Sequence, residues 1–112
     1  MRRFLFLFVS DLSALSTVTP DFVDNPIPYF LYILKSEVAD RYYVGVSSNP
    51  QRRLEYHNGF EKGFTSRYRP WAIVFTRKYP SKAQALVAET TVKAWKSRKM
   101  IERLIAGEAV LL

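Results

Sequence analysis

Two runs dense in aromatic and aliphatic residues, Tyr29 to Lys35 and Arg41 to Val46, stand only five residues apart, with Ser36 to Asp40 between them. Such residues suit the pleated, half-buried surface of a sheet, and so short a connection suits a hairpin. An antiparallel hairpin is therefore expected at the start of the folded part, and the later segments of the chain must cover it. Asn49-Pro50 is an N-cap residue followed by proline at the first helical position, so a helix is expected from Pro50 to about His57. Asn58-Gly59 supplies its stop. Gly59 to Pro70 reads as a polar, basic loop and Trp71 to Tyr79 as a third strand. Ser81 and Gln84 form a capping-box pattern, and Ala85, Ala88, Val92 and Trp95 give a second helix one apolar stripe. The order β-β-α-β-α describes an α+β domain, a three-stranded antiparallel sheet flanked by helices.

The chain's 112 residues fit one domain, with 28–112 as the folded part. No cysteine is present, which excludes disulfides, thiolate zinc sites and a cysteine nucleophile, and fits a reducing cytoplasm. Residues 1–27 read as a poorly ordered extension, of the kind an upstream start codon adds. Met1-Arg2-Arg3 followed by Phe4 to Val9 has the outline of a signal peptide or interfacial anchor. Its apolar run is six residues long before Ser10-Asp11, against about 7–15 in a signal peptide and about 20 in a membrane span. No membrane association is expected. Thr17 to Pro28, with three prolines and two aspartates, reads as a linker.

Charge divides the chain at the same place. Residues 1–27 carry Arg2 and Arg3 against Asp11, Asp21 and Asp24, a net of −1. The remaining fifteen basic and seven acidic side chains give 28–112 a net of +8. A compact basic domain points to a polyanionic partner, because neutralising phosphates releases condensed counterions. A merely solvated basic surface would have the same composition.

Three small constellations bear on chemistry. A hairpin can bring Tyr32 and Tyr43 to one face as near neighbours, with Gly45 marking a close backbone or ligand approach. Core tyrosines with bonded hydroxyls would look the same. Arg53 and His57 stand at i and i+4 on the first helix, hence on one face, where arginine can hold a phosphate and histidine can bond to it or relay a proton. Arg52 beside them suits solvent or a backbone phosphate. Glu89 is the one acid between Glu61 and Glu102. A lone carboxylate can hold a Mg²⁺ ion whose other ligands are water and substrate phosphate. Pairing with Lys93 at i+4 is the competing account of the same residue.

The order and spacing of these residues resemble the GIY-YIG endonuclease superfamily, and within it the small single-domain members related to the nuclease domain of the excision-repair incision subunit. Phe30-Leu31-Tyr32 and Tyr43-Val44-Gly45, with ten residues between the tyrosines, look like its two sheet motifs. Gly45 to Asn58 is similar to the helix with its arginine and histidine. Thr65 to Trp71 is similar too, and Ala88 to Lys96 matches the helix that carries the metal-binding glutamate. Phe30 replaces the glycine of the first motif, and Ala88 stands where relatives often have a basic residue. The likeness covers about residues 28 to 105.

The resemblance implies a catalytic set of Tyr32, Tyr43, Arg53, His57 and Glu89, with one divalent metal on Glu89, Mg²⁺ or else Mn²⁺. Arg53 would offset charge at the pentacovalent phosphorus, a tyrosine would position or deprotonate the attacking water, and His57 would assist the proton. Gly45, Arg52, Lys62, Arg67, Tyr68 and Arg69 are expected to meet nucleic acid, as are Lys93 and Lys96 on the second helix. Arg77 and Lys78, with Phe64 and Trp71 interleaved, extend that basic and aromatic surface. The expected activity is metal-dependent hydrolysis of DNA phosphodiester bonds, in repair or recombination. The alternative is a nucleic-acid-binding module whose cleavage is weak or lost. A protein-interaction domain would leave the clustering of the five central residues unexplained.

Overall fold

A computed structural model of the chain describes residues 27–111. The expectation of a poorly ordered extension over 1–27 therefore falls, apart from Ile27, outside the described residues. The hairpin is formed by β1 (Tyr29–Ser36) and β2 (Tyr42–Ser47). Helix α1 (Pro50–Gly59) follows, then a 3₁₀ turn (Phe64–Tyr68), β3 (Trp71–Tyr79), α2 (Lys82–Trp95) and α3 (Arg98–Ile105). The three strands lie in the order β2-β1-β3, and both pairings are antiparallel. The domain is α+β, with helices on both faces of the sheet. No helix among the described residues is long and apolar enough to cross a membrane.

β1 is the central strand, and both of its faces are covered. That is why its sequence reads as a nearly continuous apolar run rather than an alternation. Leu31 and Ile33 point to one side, where Val44 and Val46 join Ala85, Ala88 and Val92 of α2 and Ile101 and Leu104 of α3. Tyr32 and Leu34 point to the other, where they meet Tyr43, Trp71 and Leu54 of α1. Each fully buried Leu, Ile or Val on these faces contributes about 1.5–3 kcal/mol. The register is disturbed once. Between Ile33 and Leu34 the facing residues of β3 skip from Phe75 to Ile73, so Val74 has no opposite number.

The caps follow the local chemistry. Asn49 Oδ1 accepts from Arg52 N at 3.1 Å, and Ser81 Oγ from Gln84 N at 3.2 Å, each satisfying a donor at a helix start. One boundary differs from the sequence reading, and one end that it left open is now defined. α1 continues through Asn58 and Gly59 and is capped by Phe60, whose N–H bonds to Tyr56 O. α2 ends at Lys96, which adopts φ 47°, ψ 42°, the left-handed region usually left to glycine. The chain then restarts as α3, with Ser97 as N-cap accepting from Met100 N. This third helix was not expected, because a lysine gives no sign of a helix stop.

The loop between α1 and β3 is held at its base. Asn58 Oδ1 accepts from Trp71 N at 2.7 Å, and its Nδ2 donates to Trp71 O at 3.1 Å. One side-chain amide thus imitates a strand partner for the first residue of β3. Arg69 Nε donates to His57 O at 2.9 Å, and a second guanidinium nitrogen donates to Glu61 O.

Candidate active site

The face of the sheet that carries Tyr32 and Tyr43 meets the inner side of α1, and there the titratable groups gather. Tyr32 faces Gly45 across the hairpin, and Leu34 faces Tyr43, so the two tyrosines lie diagonally with ring centroids 6.1 Å apart. Gly45 has a clear physical role. A Cβ built there would lie 2.7 Å from both Cζ and Oη of Tyr32, so the glycine seats the Tyr32 ring. The close approach read from the sequence is made, on this side of the strand, by the protein's own ring.

α1 supplies the histidine. His57 is 1% exposed, and its ring meets Tyr43 edge-on at 4.4 Å between centroids. Tyr32 Oη lies 3.4 Å from His57 Nε2, and Thr65 Oγ1 lies 3.3 Å from Nδ1. Burial, reinforced by the Arg53 guanidinium, lowers the His57 pKa to about 4, so the ring is neutral near pH 7. A neutral imidazole has one N–H and one lone pair. Either Tyr32 donates to Nε2 while Nδ1–H donates to Thr65, or both bonds run the other way. Tyr32, His57 and Thr65 thus form one buried string along which a proton can pass.

Thr65 was not singled out from the sequence, although its stretch of chain was. It sits in the 3₁₀ turn, and its carbonyl accepts from Trp71 Nε1 at 2.8 Å. The signal available was a threonine in an otherwise basic loop, and nothing local says that it reaches back to His57.

Arg53 stands one turn before His57, half-buried, with its guanidinium 4.6 Å from the centre of the Tyr56 ring. Tyr43 is held well above the ordinary phenol range, first by burial and then by Tyr32. Arg53 pulls it back down, and Glu89 pushes it up. Glu89 comes from α2, on the other face of the sheet. Tyr43, on the edge strand β2, is therefore where the charges of the two helical layers are both felt.

Glu89 is also in the ion pair that the sequence raised as a competing account. Lys93 Nζ donates to its Oε2 at 3.0 Å, with both side chains 7% exposed. Burial lowers the Lys93 pKa, and Glu89 opposes that shift. Among the described residues no three His, Asp or Glu gather into a metal cluster. The Glu89 carboxylate is a hard oxygen donor of the kind that suits a cation keeping most of its ligands as water or phosphate.

The structure brings Tyr32, Tyr43 and His57 into contact and sets Arg53 and Glu89 within electrostatic reach of Tyr43. The other expected contacts with nucleic acid are more dispersed. Arg52, Lys62, Arg67 and Lys96 are exposed. Tyr68 is half-buried against Phe64, with the Arg41 guanidinium over its ring at 5.3 Å. Arg69 spends two of its nitrogens on the carbonyls of His57 and Glu61, and so braces α1.

Several known proteins are similar to this chain. The structure-specific endonuclease subunit SLX1 of Phaeosphaeria nodorum is 41% identical over 73 residues, 58% of this chain and 20% of that protein. The SLX1 subunit of Chaetomium globosum is 45% identical over 76 residues, 60% of this chain and 23% of that protein. The chain spans about a fifth of the length of these curated relatives. Among solved structures, a UPF0213 protein from Bacillus halodurans is similar at 28% identity and a TM-score of 0.46, over 70% of this chain and 83% of that one. The family model described as the GIY-YIG catalytic domain matches residues 28–102, both tyrosine strands through α2 and into α3. The chain belongs to the GIY-YIG catalytic-domain family.

Proposed function

We propose that this domain is a metal-dependent endonuclease that hydrolyses DNA phosphodiester bonds at branched or otherwise structured sites, in repair or recombination. The observation that carries this reading is the buried string Tyr32–His57–Thr65 beside Tyr43, with Arg53 and Glu89 acting on Tyr43 from the two helical layers. Hydrolysis of a phosphodiester needs an oriented water, compensation of charge at phosphorus and an exit for a proton. Tyr43 stays protonated at neutral pH and acts as a hydrogen-bond donor that orients water or a phosphate oxygen. Tyr32 is the proton's way in, because its hydroxyl already lies against neutral His57. Arg53 offsets charge on the phosphate. A divalent cation held through Glu89, Mg²⁺ or alternatively Mn²⁺, would supply Lewis-acid stabilisation of the scissile phosphate and leaving oxygen. In a reducing compartment such as the cytoplasm, Lys96 at the end of α2, with Arg52, Lys62, Arg67 and Tyr68, would follow the phosphate backbone, while Lys93, buried against Glu89, would not.

The Glu89–Lys93 pair favours one second reading, a nucleic-acid-binding module in which cleavage is weak or lost, because the ammonium already neutralises the carboxylate. Incubating the purified chain with branched, flapped and linear DNA separates the two. Cleavage that appears with Mg²⁺ or Mn²⁺ and disappears with a chelator supports the nuclease. Tight binding without cleavage in either cation establishes the second reading.

A further inference from the structure

α1 and its cap carry two exposed rings, Tyr56 and Phe60, that the cleavage chemistry does not use. Arg53, Tyr56 and Phe60 succeed one another at i, i+3 and i+7, which sets them in a row along the helix. The Arg53 guanidinium lies over the Tyr56 ring, and the Tyr56 and Phe60 rings stack at 6.2 Å with 28° between their planes. Neither ring belongs to a hydrophobic core, Tyr56 being 38% exposed and Phe60 71%. A single exposed aromatic needs no explanation. Two stacked in line with a guanidinium form a row whose outward end is the more exposed ring, Phe60, and whose inner end is the arginine assigned to the scissile phosphate. Tyr56 also meets His57 edge-on at 5.9 Å, so the row starts at the site itself. Exposed Arg52 adds positive charge at the same turn.

We propose that Arg53, Tyr56 and Phe60 form a stacking platform for an unpaired nucleobase of the substrate strand, next to the phosphate to be cut. This rests on the nucleic-acid reading of the site and narrows it. An aromatic face recognises any base, because every base has a π face, but it needs that face uncovered. Within a duplex both faces are occupied by neighbouring pairs, so the platform selects DNA with unpaired nucleotides beside the cleavage point. The basic groups at its inner end match the phosphate that such a nucleotide carries.

Binding by the full chain, in chelator so that nothing is cut, tests this on two DNAs of equal length, one fully paired and one with an unpaired flap. Losing a base–aromatic stack weakens binding by about 5- to 150-fold. Phe60→Ala and Tyr56→Ala should show a loss of that order on flapped DNA and little on the paired duplex, while Phe60→Trp retains the affinity. A 2-aminopurine at the first unpaired position should be quenched by the wild type and not by Phe60→Ala. Both side chains are exposed, so unchanged melting temperatures exclude misfolding. If Phe60→Ala matches the wild type on flapped DNA, or loses equally on both DNAs, the platform is refuted and the nuclease reading stands. A wild-type chain that binds neither DNA refutes both.

Discussion

Replacing Gly45 with alanine tests the packing that holds the site together. The added Cβ would meet Cζ and Oη of Tyr32 at 2.7 Å, more than half an ångström inside ordinary van der Waals contact. The ring cannot retreat freely, because Tyr32 is 1% exposed and packed against Leu34, Tyr43 and Trp71. Overpacking of this kind costs about 1–3 kcal/mol. In a domain of this size that lowers Tm by about 4–8 °C per kcal/mol. The displaced atoms include the hydroxyl that reaches His57, so nuclease activity should fall further than stability alone explains. Thermal melts and cleavage rates on a flapped DNA read the two effects separately. A double-mutant cycle isolates the cause: in a Tyr32→Ala background the clash is gone, and Gly45→Ala should be nearly neutral. If Gly45→Ala melts like the wild type, or costs as much with Tyr32 removed, the glycine does not seat that ring.

Glu89→Gln should lower cleavage by orders of magnitude and also reduce Tm, because it leaves the Lys93 ammonium buried without its carboxylate. Glu89→Gln combined with Lys93→Met should restore Tm without restoring cleavage, and recovery of both would mean the carboxylate serves only the ion pair. His57, the chain's one histidine, has a pKa near 4 in the fold against 6.5 ordinarily. Between those values the unfolded chain binds the extra proton, so stability should fall by up to about 3 kcal/mol as pH drops through the window. Urea melts from pH 7 to pH 4 measure this, and His57→Gln should flatten the slope. DNA affinity should fall with log salt at a slope of about −4 to −5 if five phosphates are neutralised; an isotherm indifferent to salt would count against the phosphate surface.

The sheet was legible because its signals are local. Each strand of the hairpin declares itself in six to eight residues, and the registers Tyr32↔Gly45 and Leu34↔Tyr43 follow once a short turn joins them. Asn49-Pro50 and Ser81 mark helix starts by chemistry that acts within three residues. The features that stayed hidden depend on distance or on backbone geometry. Thr65 reaches His57 only because the loop folds back, and Lys96 ends α2 in a conformation its side chain does not announce. Glu89 was legible as an isolated acid, yet its pairing with Lys93 and its deep burial depend on where α2 lies on the sheet. Arg69 illustrates the same limit from the other side, since its basic character suggested phosphate while its position makes it a brace for two carbonyls.

The two-point grip of Asn58 on Trp71 sets what this domain can evolve. It closes the connection from α1 to β3 at its base, so the ends of that connection are fixed whatever happens at its tip. Closing a longer flexible loop costs only about 0.6 kcal/mol per doubling of length. Exposed Lys62 and Gly63 lie after the Arg69 brace to Glu61 and before Thr65. Residues inserted between Lys62 and Gly63 would project outward without pulling Thr65 from His57. New specificity can therefore be added at this one point, by lengthening or exchanging a surface segment, while the catalytic geometry is inherited unchanged.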